Sequence, residues 1–163
     1  MPRIALVALL LLACAARAEE PARVAGFAGL PGADSLKIRY ASRGCFHSAT
    51  YELTFISGAA PRASATRLIL EWSEKDGIYV EKGREALGEM ALTAEDLRQL
   101  DALLAFYRAK PDGGCTTVEE IRVEQLRGGK LVAQEAFTDA SCSVHERKGV
   151  LSLGALLGRM QKK

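Results

Sequence analysis

The stretch CTTVEEIRVEQLRGGKLVAQEAFTDASC, residues 115–142, decides the fold. Two runs with alternating apolar and polar residues, 116–126 and 131–138, flank Arg127-Gly128-Gly129-Lys130. A Gly-Gly pair takes the positive φ values that a two-residue hairpin turn demands. With the turn centred there, Leu126 is expected opposite Leu131, Arg122 opposite Glu135 and Ile121 opposite Ala136, all compatible cross-strand neighbours. The same register sets Cys115 opposite Cys142, at a Cα separation a disulfide accepts. Closing that loop stabilises by about 3–4 kcal/mol in the chain-entropy picture.

Upstream, the period of two recurs. Leu36, Ile38 and Tyr40 alternate with Lys37 and Arg39, and Tyr51, Leu53 and Phe55 alternate with Glu52 and Thr54, which predicts two half-buried strands joined by a loop over Ser42–Ser48. A third strand is expected over Thr66–Trp72. Beyond it, Asp76-Gly77 marks a turn into a short strand at Ile78–Val80, so that the four elements form an antiparallel meander. Leu97, Leu100, Leu103, Leu104 and Tyr107 then fall on one helical stripe. Thr93 is its expected cap, Glu95 and Asp96 sit at its positive end, and Pro111-Asp112-Gly113-Gly114 stops it. A last stripe, Leu153, Leu156, Leu157 and Met160 behind a Ser152 cap, predicts a short helix docked on the sheet; the other reading is a membrane-surface or partner helix. The expected fold is therefore α+β: an antiparallel sheet of about six strands, with one long helix and a short C-terminal helix packed on one face.

The chain begins as an export signal does. Arg3 precedes the apolar run Ile4–Ala13, and Ala16-Arg17-Ala18 has the small residues a secretory peptidase accepts. Ten apolar residues are too few to span the roughly 30 Å hydrocarbon layer. Residues 1–18 are read as a signal peptide, 19–34 as a flexible leader on which Phe27 and Leu30 have the alternative of packing on the domain, and 35–163 as a single domain. A second reading exists, because Leu11-Leu12-Ala13-Cys14 resembles a lipobox and a lipid on Cys14 would anchor the chain to the envelope. On these first 18 residues alone, the sequence is similar to small bacterial envelope proteins and lipoproteins. That resemblance implies a periplasmic, secreted or lipid-anchored location and no activity.

Loss of residues 1–18 removes Arg3 and Arg17 and no acid, so the basic residues that remain equal the 20 acids in number. Such a balance offers nucleic acid no basic stripe. Three cysteines remain in the mature chain, Cys45, Cys115 and Cys142. In an oxidising compartment two of them pair; besides Cys115 with Cys142, the alternatives join Cys45 to one of the other two.

Both histidines stand near cysteines. Cys45, His47, Cys142 and His145 could together make a Cys₂His₂ set for zinc or copper, although the spacing lacks the short Cys-to-Cys interval of structural zinc sites. Cys45 beside His47 and Arg43 also fits an activated thiolate. The plainer reading is one disulfide, solvated histidines and no cofactor. Glu119-Glu120 and Glu95-Asp96 read as solvated carboxylates, and no phosphate loop, nucleophile elbow or His-Glu-x-x-His motif occurs. The expectation is a non-enzymatic module, an inhibitor or assembly factor, binding a protein partner in the cell envelope. Its binding loop would be Arg43, Cys45, Phe46 and His47, with the outer face of the sheet; the alternative is a thiol or metal-binding envelope protein.

Overall fold

The computed structural model describes residues 22–111 and 113–162. The expected signal peptide and Cys14 lie outside the described residues. Six antiparallel strands, β1 (Asp34–Gly44), β2 (His47–Ile56), β3 (Arg62–Ser73), β4 (Ile78–Ala91), β5 (Val118–Arg127) and β6 (Lys130–Asp139), form one sheet in the order β4-β3-β2-β1-β5-β6. Helix α1 (Ala94–Arg108) carries the chain from one edge of the sheet to β5, and α2 (Leu153–Met160) closes it. The α+β architecture read from the sequence is the one observed.

A sheet with one covered face places alternate residues in the core. Here these are Leu36, Ile38 and Tyr40 of β1, Leu53 and Phe55 of β2, and Ile121 and Val123 of β5. They pack with Leu100, Leu103, Leu104 and Tyr107 of α1 and with Leu153, Leu156, Leu157 and Met160 of α2. Both helical stripes predicted from spacing therefore face the core. Thr93 caps α1 through a capping box: its hydroxyl accepts from the Asp96 amide, while the Asp96 carboxylate accepts from the Thr93 amide. Asp96 also takes Arg159 of α2, at 2.6 Å, so the start of one helix holds the end of the other.

Three expectations are corrected. First, the β5–β6 hairpin keeps Leu126 opposite Leu131, but a bulge then makes Gln125 face Ala133. Arg122 accordingly faces Ala136 rather than Glu135, and Ile121 faces Phe137 rather than Ala136. A one-residue shift exchanges the two faces of a strand. This one turns Phe137 inward, where it stacks on Tyr107 with ring centroids 5.8 Å apart, and lets Glu135 pair with Arg108.

Second, the short strand expected at Ile78–Val80 runs on to Ala91. Residues 81–91 are rich in Glu, Lys, Ala, Leu and Met, which favour helix, but pairing with β3 across two register shifts overrides that preference. Third, the leader read as flexible joins the core from Val24 onward, and of the two readings of Phe27 and Leu30 the packed one is observed: Val24, Phe27 and Leu30 are buried. Side chains satisfy its backbone. Asp101 accepts from the Phe27 and Ala28 amides, Gln125 accepts from the Ala25 amide, and Arg108 donates to the Val24 carbonyl. Gly26 favours this approach, because a β-carbon there would stand 2.7 Å from an Asp101 oxygen and displace that carboxylate.

The Arg159 guanidinium, helped by Thr93 and opposed by burial, holds the Asp96 carboxyl at about 2, below its ordinary 3.8. A depressed folded pKa gives stability that is present above the unfolded value and is lost as pH falls through the folded one. Asp96→Ala is expected to cost about 1–2 kcal/mol at pH 7. In urea melts, the gap to the parent protein should close as pH falls from 4 towards 2; a gap that does not change with pH would contradict this linkage.

Candidate functional site

The face of the sheet turned away from the helices carries the exposed chemistry. The β2–β3 ladder ends at Thr50 opposite Leu68, yet β3 continues to Ser73 paired only with β4. Register shifts at Ala65/Thr66 and Ile69/Leu70 interrupt β3–β4, and bulges of this kind bend a strand and increase its twist. The far half of the hairpin therefore leaves the sheet and curls over its outer face. Trp72 and Tyr79, opposite each other across the hairpin, meet edge to face with ring centroids 5.3 Å apart. Beneath them lies a cleft of about 570 Å³, whose floor includes Arg39 and Arg43 of β1 and Glu120 and Arg122 of β5. A second cleft of about 370 Å³ opens between the start of β2 and the departing β3, and shares Arg43 and Tyr79 with the first.

The rim is unusually apolar for a surface. Trp72 is 55% exposed, Tyr79 62% and Ile78 56%. The floor is basic. Arg39 stands directly opposite Arg122 in the β1–β5 register, and like charges so placed repel. Arg122 reaches Glu124 at 2.9 Å and Arg43 reaches Glu120 at 2.6 Å. On its other side Arg39 stands opposite Glu52, and the pKa of Glu81, lowered chiefly by Arg84, is lowered further by its charge; among the described residues no carboxylate lies within 4.0 Å of it.

The loop expected over Ser42–Ser48 is shorter than anticipated. Gly44 pairs with His47, which leaves a two-residue turn of Cys45 and Phe46. A β-carbon at Gly44 would stand 2.6 Å from the His47 ring, so the ring lies over this glycine. Phe46 is fully exposed, and Cys45 is free and exposed. The His47 imidazole meets Ser42 Oγ at 3.0 Å, so its contact runs along the hairpin. Of the predicted binding loop, Arg43 reaches the clefts, while Cys45 and Phe46 stand at the tip of the turn.

Cys115 and Cys142 form a disulfide, with Cα atoms 5.6 Å apart. The register argument does not explain it, since the ladder ends at Glu119 opposite Asp139. Instead, Cys142 adopts a left-handed conformation with φ 54°, and the Cys115 amide donates to the Ala140 carbonyl at 2.7 Å. The strands thus separate and are brought back together. With its sulfur so engaged, Cys142 is removed from the proposed Cys45, His47, Cys142, His145 metal set. The side chain of His145 lies outside the described residues, and among those described no three His, Cys, Asp or Glu residues are grouped to hold a metal.

Glu119 is buried, not solvated: it accepts from Tyr40 Oη at 2.6 Å and from Tyr107 Oη at 3.2 Å. Burial first, and then the Glu119 carboxylate, push both phenols far above their ordinary range, so they remain donors. Alternation along β5 sends Glu119 inward and Glu120 outward to Arg43. The clefts described above do not reach Glu119, and its hydrogen bonds fasten α1 to the sheet.

Among the described residues, no helix is long and apolar enough to cross a membrane. Comparison of the chain with protein-family models, curated proteins and solved structures returned no match. The outer face and the cysteines are thus interpreted from their own geometry. Thiol titration of unreduced protein spanning residues 19–163 is expected to give one reactive group, absent in Cys45→Ser, and three after reduction in denaturant. Replacing both Cys115 and Cys142 by Ser should lower stability by about 3–4 kcal/mol. A reactive thiol that survives in Cys45→Ser would contradict the pairing.

Proposed function

We propose that the chain is an exported, non-enzymatic protein-binding module of the bacterial envelope, an inhibitor or assembly factor, which seats its partner on the outer face of the sheet. The observation that carries this reading is the Trp72–Tyr79 pair held exposed above an arginine-bearing floor. Tyr, Trp and Arg dominate the energetic centres of protein interfaces, because each buries a large surface and retains a polar handle. Apolar groups gathered on one rim are costly to leave in water unless a partner covers them.

Export is supported by the character of residues 1–18 and by the Cys115–Cys142 disulfide, since such bonds persist in oxidising compartments. Cleavage after Ala18 would release the protein into the periplasm or the medium, and a lipid on Cys14 would tether it to a membrane. Intact mass of protein from its native cell separates these outcomes. A chain beginning at Glu19 is expected; one beginning at an acylated Cys14 would establish the tether, and a full-length chain with reduced thiols would refute export.

The binding face is tested by site-specific photocrosslinking in the native cell. A crosslinker in place of Tyr79 is expected to yield one discrete covalent adduct, whereas one in place of Arg98, exposed on α1, yields none. Equal labelling at both positions, or no adduct at Tyr79, would remove the support for this face.

A further inference from the structure

The outer face offers more than side chains. Among the described residues, β3 from Ile69 to Ser73 is paired on one side only, with β4, and His47–Ala49 of β2 are paired only with β1. The two strands diverge after Thr50 and Leu68, and a cleft lies between them. The unpaired side of a strand is a template for another extended chain. Most edges are blunted by charge or covered. This one carries a single charge, Glu71, beside exposed Ile69 and Trp72, with Ile78 and Tyr79 exposed on β4 across from it.

Charge limits what could fill the gap. Alternate side chains of an added strand project to one side, and on the cleft side they would meet Arg39 and Arg43. Arg39 lies between Arg122 of β5 and Glu52 of β2; Glu52 is bound by Arg84, and among the described residues no carboxylate lies within 4.0 Å of Arg39, so a carboxylate at that point would be met by a guanidinium with no close partner. A lysine or arginine in the same place would be repelled.

Resting on the reading of the outer face as the partner site, we infer that the partner enters as an extended acidic segment that adds as a strand to the free side of β3 between Ile69 and Ser73. Backbone hydrogen bonds supply the attachment, and the arginine floor selects carboxylates at alternate positions. Five residues of strand span about 17 Å, which sets the length of the segment gripped.

The chain has a single tryptophan, Trp72 on the rim, so its emission reports occupancy directly. The probe is acetyl-Glu-Val-Glu-Val-Glu-Val-Glu-amide, titrated into the full mature protein. Saturable change in Trp72 emission is expected, with affinity at least about tenfold lower for the lysine-for-glutamate analogue. Two further acidic peptides, N-methylated at odd or at even residues, should differ: one loses binding and the other keeps it, because a strand bonds its neighbour through every second amide. Arg39→Glu should remove most of the preference for acid over lysine.

No saturable response to the acidic peptide, equal affinity of the lysine analogue, or indifference to both methylation patterns would overturn the inference. If the Tyr79 crosslink forms while the peptide fails, the face binds protein by another geometry and only the strand addition is lost. If neither is seen, both readings fall.

Discussion

The structure depends on one constraint: a six-stranded sheet has two faces, and among the described residues helices cover only one of them. The apolar residues that alternation assigns to the covered face pack against α1, α2 or the segment from Val24 to Leu30, Tyr51, Leu87 and Phe137 being only partly buried. The other face must be made of residues that water tolerates, and along β1, β2 and β5 it is, with Lys37, Arg39, Glu52, Glu120 and Arg122. The exception is the end of the β3–β4 hairpin. There the chain departs from the sheet, places two aromatic rings over the polar floor, and leaves one side of a strand unpaired.

Covering one face also explains the buried polar groups. The segment before β1 has no strand partner, so its amides and carbonyls are met by Asp101, Arg108, Gln125 and Glu135. Asp34 repeats the theme, receiving Gln125 at 2.6 Å and Arg127 at 2.9 Å at the edge of the same layer, and these donors lower its pKa, Arg127 foremost. At the other end, Glu119 gathers the hydroxyls of Tyr40 and Tyr107 beneath the sheet end that the Cys115–Cys142 bridge closes. A buried polar group without partners is expensive; here such groups join elements that are far apart in sequence.

Much of this was legible in the residues. Strict alternation in Leu36–Tyr40 and Tyr51–Phe55 located β1 and β2, spacings of three and four located α1 and α2, and Gly128-Gly129 located a hairpin. What could not be read depended on neighbours. The bulge beside Leu126 brings Phe137 onto Tyr107, a contact between residues far apart in sequence. β4 is disguised as helix by its composition and is imposed by β3. The binding face was anticipated at Arg43 and the sheet's outer side, but Trp72 and Tyr79 were not singled out. Their only local sign is that they flank the Ser73–Gly77 turn at positions that pair, and the curl that gives them meaning comes from register shifts that alternation does not encode.

Amide hydrogen exchange along β3 tests the central claim most directly. If the hairpin leaves the sheet after Leu68, amides from Arg62 to Leu68 are slow throughout, while from Ile69 to Ser73 only every second amide, the one bonded to β4, is protected. Uniform protection through Ser73 would mean that the ladder to β2 continues and the cleft is closed; uniform rapid exchange would mean that no hairpin stands over the outer face.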